Sequence, residues 1–167
     1  MAGMSDDFQI RAFRPGDLTQ MQAVREVAFR PVFKSLRQIV GEALAPVVFA
    51  EAERAQADLL DQICAEDSAD IVFVAEQAGD IVGFCSLKLD PETKVGEIGL
   101  NAVDPVVQRE GLGTAMYVYA LDIMRAQGMI AASVGTGGDP SHAPARRAYK
   151  KAGFARAVQS VYLYRTL

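Results

Sequence analysis

The run Gln108-Arg109-Glu110-Gly111-Leu112-Gly113-Thr114 sits where a strand pattern, closed by Asp104-Pro105, gives way to a helical one. Glycines at such a junction let a ligand come close to the backbone. The N–H groups and positive dipole end of the following helix attract phosphate oxygens. The chemistry this suggests is pyrophosphate binding by main chain. No Gly-Lys-Thr or Gly-Lys-Ser follows and no Gly-x-Gly-x-x-Gly is present, so neither a nucleoside-triphosphate loop nor a dinucleotide fingerprint is indicated. On its own, the run would equally suit a glycine-eased turn before a helix.

The surrounding periodicities define the elements that must position this loop. A strand is expected at Gln9–Phe13, closed by Arg14-Pro15-Gly16, with Asp17 as an N-cap and Gln20 at the capping-box spacing. The stripe of Leu18, Met21, Val24 or Arg25, and Ala28 predicts a helix over about 17–29 that Pro31 ends. Phe33, Leu36, Ile39 and Val40 predict a second helix, and Ala50–Cys64 a third. Ile71–Glu76 and Ile81–Leu89, joined across Gly79-Asp80, read as an antiparallel hairpin, and Val95–Val103 as the next strand. The helix opening near Leu112 ends at Gly128. Met129–Gly135 is a strand, Ala145–Ala152 a short helix with Pro144 near its first turn and Gly153 past its end, and Val158–Tyr164 a last strand. The order describes an α/β fold with a mixed sheet flanked by helices.

Half of the 167 residues are apolar, enough for one core, and one domain is expected over residues 9–167 behind a disordered terminus at 1–8. The 17 basic and 21 acidic residues form no block of like charge, which argues against a nucleic-acid partner. Cys64 and Cys85 lie apart in apolar surroundings, without a metal-ligand pattern, and read as buried thiols. No stretch approaches the roughly 18 apolar residues of a membrane span or the form of a signal peptide. The expectation is a cytoplasmic protein without membrane or metal.

Gln108-x-x-Gly111-x-Gly113 is similar to the Gln/Arg-x-x-Gly-x-Gly/Ala signature of the GNAT acetyltransferases. A second run, Ala145-Arg146-Arg147-Ala148-Tyr149-Lys150-Lys151-Ala152-Gly153-Phe154, resembles that family's late helix, with its tyrosine four residues before Gly-Phe. The resemblance extends from Arg14-Pro15-x-Asp17 through the hairpin to the second run, nearly the whole chain. It implies a mixed, mostly antiparallel central sheet flanked by helices, with acetyl-coenzyme A as cosubstrate. It also implies a pyrophosphate cradle at Gln108, Arg109, Glu110, Gly111, Leu112, Gly113 and Thr114, and a pantetheine arm along Asn101, Ala102 and Val103. The residues lend independent support here. Ile98 and Leu100 share one strand parity and Val103 takes the other, as a β-bulge near Asn101 requires, although a fully buried strand can also show mixed parity.

An alkylamine with a pKa of ~10.4 costs roughly 4 kcal/mol to deprotonate at neutral pH, so direct transfer to an amine needs a base. Glu97 lies on the strand before the signature, at the spacing of the catalytic glutamate in the histone-acetylating branch of the family. Its neighbours Val95, Ile98 and Leu100 offer an apolar setting that raises a carboxyl pKa. An exposed strand-end glutamate, with water as the base, is the other reading. By resemblance Tyr149 protonates the departing thiolate; alternatively its ring only packs on the sheet. His142 replaces the asparagine that many relatives carry seven residues before the tyrosine, and either contacts a ligand or caps and packs. Cys85 as a covalent acyl carrier is disfavoured, since no histidine adjoins it in sequence. The expected acceptor is a primary amine of a small molecule or peptide. The alternatives are a protein N-terminus or lysine, or a sensor that holds acetyl-coenzyme A without turnover. Homodimers are common among relatives, and nothing in the sequence fixes one.

Overall fold

The computed structural model describes residues 8–107 and 111–167. Five strands form one sheet in the order β1 (Gln9–Ala12), β2 (Ile71–Gln77), β3 (Asp80–Asp90), β4 (Val95–Val103) and β5 (Ala131–Val134). Each neighbouring pair is antiparallel except β4 and β5, which run parallel. That exception follows from the connection, because α4 (Leu112–Ala126) crosses between β4 and β5 and returns the chain to the starting end of the sheet. β2 and β3 are joined by Ala78 and Gly79, both at positive φ, the two-residue turn whose twist suits a hairpin.

The sheet separates two cores. On one side α4 and α5 (Ala143–Lys151) cover Phe73, Cys85, Leu87 and Ile98; Met116, Ala120 and Met124 supply the helix face. On the other side α1 (Leu18–Val40) and α3 (Ala52–Ile63) bring Met21, Val24 and Leu60 against Val74, Phe84 and Ala102. A short helix, α2 (Ala45–Val48), lies between α1 and α3. Phe8, inside the stretch expected to be disordered, packs against the first core.

Three expectations need correction. Pro31 does not end the first helix: α1 is continuous through it. Pro31 is solvent-exposed, so the carbonyl one turn earlier, which loses its N–H partner, can turn to water, and packing on both sides of the proline holds the helix together. The Asp17–Gln20 capping box does not form. Asp17 instead takes Arg11 in two bonds of 2.8 and 2.9 Å and the Arg14 N–H at 2.8 Å, while the Gln20 side chain accepts the Ile81 N–H at 2.8 Å. Finally, residues 154–167 enter no strand. The segment leaves Phe154 exposed along most of its length and touches down where Tyr164 meets Phe49, with ring centroids 6.2 Å apart. Its β-forming residues lack a ladder, and strand propensity without pairing does not make a strand.

Candidate functional site

The ladder between β4 and β5 runs from Val95–Ala131 to Ile98–Val134, where β5 ends, while β4 continues to Val103. On the other flank of β4 the register with β3 slips between Cys85 and Leu87, which face Asn101 and Ile98. Two residues of β4, Gly99 and Leu100, therefore oppose Ser86 alone. This is the β-bulge that the mixed parity called for, set just before Asn101. Ile98 and Val103 face the α4–α5 side, while Leu100 and Ala102 face the α1–α3 side. Gly99 is required: a Cβ there would stand 2.6 Å from Ser86 Oγ, and that buried hydroxyl donates to the Leu100 carbonyl at 3.1 Å.

The bulge aims the Asn101 side chain at the late helix. Its amide donates to the Gly99 carbonyl at 2.9 Å and to the Tyr149 hydroxyl at 3.1 Å, and its oxygen accepts the Tyr117 O–H at 2.8 Å. The alternative in which Tyr149 donates back to Asn101 spans 3.4 Å, too long for a good O–H···O bond. With its oxygen already taking an N–H from Asn101, the Tyr149 hydroxyl keeps its own hydrogen to offer elsewhere. The two rings lie 4.3 Å apart between centroids, and Phe154 closes the far side of Tyr149 at 6.0 Å. Burial pushes the Tyr149 phenol up, opposed by the hydrogen bond that it accepts from Asn101. Burial pushes Tyr117 further up, reinforced by Tyr149. Both are neutral donors at neutral pH.

The loop behind β4 leads into α4. Gly111 occupies the N-cap position at φ 78°, where a side chain would be strained, and offers no side chain to cap the helix. Gly113 differs. A Cβ there would lie 3.7 Å from Ala148 and 3.9 Å from Val103, ordinary contact distances, so protein packing does not demand glycine at this position. A ligand lying close over the first turn would. Leu112 is buried and anchors the turn, and Thr114 is half-buried. Gln108, Arg109 and Glu110, the first three residues expected in the cradle, lie outside the described residues. The stretch of β4 beyond the end of β5, the glycine at 113 without an internal cause and the glycine at the helix N-cap all fit a pyrophosphate-bearing cofactor with an extended arm.

Glu97 is brought near this region but not into it. It lies between Gly96 and Ile98, which both face α4, so its side chain points to the opposite side of the sheet from Tyr149, between Lys88 and Ser133. It is exposed: Ile98 faces the other side of the sheet, and Val95 and Leu100, which share its side, leave the carboxyl open to solvent. Asn101 follows four positions on, roughly 10–13 Å away at ~3.3 Å per residue, so the Glu97 carboxylate stands apart from the Asn101–Tyr149 pair.

His142 directly precedes α5, with Nδ1 2.5 Å from Asp139 Oδ1. Burial alone would raise the Asp139 carboxyl, but bonds from Ser141, Ser35 and His142 outweigh it and hold the group well below the usual range. The Ser35 bond, 2.8 Å, ties this loop to α1, and Arg146 clasps the Gly137 and Asp139 carbonyls from α5. Cys85 is fully buried beneath the tyrosines, and desolvation pushes its thiol far up, which makes it a poor nucleophile. The sequence reading missed Tyr117 and the side chain of Asn101. A signal for the first existed: Tyr117 stands one helical turn after Gly113 and hence on the same face.

Comparison with known proteins agrees with this geometry. The profile of the Acetyltransferase (GNAT) family matches residues 33–154. A mycothiol acetyltransferase of Sanguibacter keddieii is 40% identical over 97 residues, covering 55% of this chain and 30% of that protein. The chain thus corresponds to about a third of the curated relative's length. A GNAT acetyltransferase of Brucella melitensis in complex with acetyl-CoA superimposes with a TM-score of 0.63 at 23% identity, over 91% of this chain and 85% of its own. The PaiA N-acetyltransferase of Thermoplasma acidophilum, in complex with coenzyme A, gives 0.69 at 14% identity, over 92% and 93%. With the profile spanning most of the sheet, the bulge and both helices of the site, the chain belongs to the GNAT family of acetyltransferases.

Proposed function

We propose that this chain transfers the acetyl group of acetyl-coenzyme A directly to a primary amine of a small molecule or peptide. The observation that carries the reading is the Asn101–Tyr149 hydrogen bond on the part of β4 beyond the end of β5, which leaves one buried phenolic hydrogen available for a leaving thiolate. The pyrophosphate is held by backbone from Gln108 to Thr114, and the pantetheine arm runs beside Asn101, Ala102 and Val103. Tyr149 donates to the thiolate sulfur as it departs, and Asn101 and Tyr117 fix its orientation. Because burial raises the phenol, its contribution is mainly a strong hydrogen bond in the transition state, with proton transfer completed late. Glu97, on the opposite side of β4, takes the amine proton through water. Acid and base then work from the two sides of one strand.

Acceptor identity is set apart from this machinery. The relatives named mycothiol acetyltransferase make mycothiol-related amines one arm of an acceptor panel, beside aminoglycosides, amino acids and peptides. A thiol-release assay over that panel tests the proposal. Turnover on at least one amine is expected, and acetyl-coenzyme A should raise the melting temperature where NAD and ATP do not. Stabilisation without turnover on any amine would favour a sensor. Equal stabilisation by all three ligands would reject the cradle.

A further inference from the structure

The α1–α3 side of the molecule holds a groove of about 990 Å³ lined entirely by helices and their connections, with no residue of β4, β5, α4 or α5 in its wall. Arg25 lines it and is only 7% exposed. The guanidinium is fixed by two neutral groups: Nε donates to Gln22 Oε1 at 2.7 Å and Nη1 to Gln56 Oε1 at 3.3 Å. Gln22 is itself locked across to α3 by bonds to the Ala57 carbonyl at 2.9 Å and to Asp61 at 2.8 Å. Arg25 is therefore preorganised, yet among the described residues it makes no ion pair.

The other charges on the groove do not supply one. Arg37 is engaged by Glu53 through both of its terminal nitrogens, and Arg30 by Glu26 at 3.4 Å. The Glu53 carboxyl is lowered by Arg37 first and by Arg25 only at longer range, so one acid serves two guanidinium groups. Arg54 pairs with Glu51 and Asp58, Glu42 is an exposed carboxylate with no ion pair among the described residues, and Lys34, exposed at the rim, adds a further cation. Burying a guanidinium without a counter-charge is costly, and its planar fork suits a carboxylate. Beside it the wall is apolar, with Phe33, Ala45, Pro46 and Ala57.

We propose that this groove binds a small carboxylic acid with an apolar body, the carboxylate on Arg25 with Lys34 at the mouth and the body against Phe33 and Pro46. The site is independent of the acetyl-transfer reading and is tested by binding alone.

Phenylacetate is the probe, titrated calorimetrically at constant ionic strength, with benzyl alcohol as the uncharged counterpart and inorganic phosphate as the competing anion. Saturable phenylacetate binding is expected. Arg25→Gln should weaken it by about tenfold or more, as loss of a charge-assisted bond does, and Lys34→Glu by a smaller factor. Lys34 is exposed, so that variant remains informative if Arg25→Gln does not fold. Three results would each overturn the proposal: no saturable binding to the parent up to about 10 mM, a range that covers millimolar affinity; equal affinity for benzyl alcohol or phosphate; or unchanged affinity in both variants.

Discussion

The two sides of the sheet are built on opposite principles. Against α4 and α5 the polar groups are few, uncharged and mutually satisfied: Asn101, Tyr117 and Tyr149 bond to one another, over a thiol kept protonated by burial. Against α1 and α3 the polar groups are charged and lie around an open groove, where Arg25 lacks a full counter-charge. A closed network has one arrangement and suits a fixed cofactor. An open, charged groove can be refitted residue by residue, and the difference indicates which side of such a fold is free to vary without loss of the core reaction.

Substitutions can break this contrast. The largest effect is expected for Gly113→Asp, which sets a carboxylate against the pyrophosphate. Acetyl-coenzyme A affinity should fall by roughly 100-fold or more, as expected for a like-charge contact of several kcal/mol. The fold should survive, because a Cβ at this position meets only ordinary contacts. Full affinity by calorimetry would place the cofactor elsewhere. Next, Tyr149→Phe should lower kcat by roughly 10- to 1000-fold with little change in acetyl-coenzyme A affinity, whichever amine is used. A drop within threefold would leave the ring with a packing role alone.

Asn101→Ala sharpens the point, because it strips two buried hydroxyls of a partner. Turnover should fall about tenfold or more, and chemical denaturation should show a loss of about 1–3 kcal/mol. Glu97→Gln should act more weakly, less than about tenfold on kcat at neutral pH, since solvent can replace an exposed carboxylate that works through water. A 1000-fold loss would mean that the side chain touches the amine directly.

The smallest effects are those of pH on stability, and the alkaline and acid declines should have separate sources. Tyr117 and Tyr149 are raised in the folded state, so their contribution is complete below about pH 10 and is lost as pH climbs past it. Tyr149→Phe should flatten that alkaline decline. Asp17 and Asp139, bound to Arg11 and to the Ser35–His142 cluster, are lowered, so their contribution holds above about pH 4 and disappears below it. Asp139→Asn should flatten the acid decline and leave the alkaline one intact. Thermal melts across pH, with the two variants side by side, would show either pattern.

What the sequence revealed depended on whether the signal was local. Gly111-x-Gly113 announces its turn and helix start by itself, and the change of parity along β4 pointed to the bulge, although a strand buried on both faces shows the same pattern. Pro31 misled, since whether a proline ends a helix depends on what covers its two sides, and that is tertiary. The last strand misled for the same reason: Val158, Val161 and Tyr162 have strand character, but in this structure they are exposed and unpaired. Asn101 was legible only as backbone. That its amide would hold Tyr149 depends on a contact 48 positions away in sequence. Glu97 is exposed where an apolar setting was expected, because a strand alternates faces and its neighbour Ile98 packs on the other side of the sheet.

The bulge also lets length and facing be set separately along β4. Ile98 and Asn101 lie on one face with two residues, Gly99 and Leu100, between them opposite Ser86. Were one of these two removed, a single residue would oppose Ser86, alternation would be unbroken, and Ile98, Asn101 and Val103 would keep both their side and their partners on β3. An unbulged strand of the present length would instead turn Asn101 toward α1 and leave Tyr149 facing a backbone with no amide to hold it. A one-codon deletion here would thus erase the bulge and spare the layout of the site.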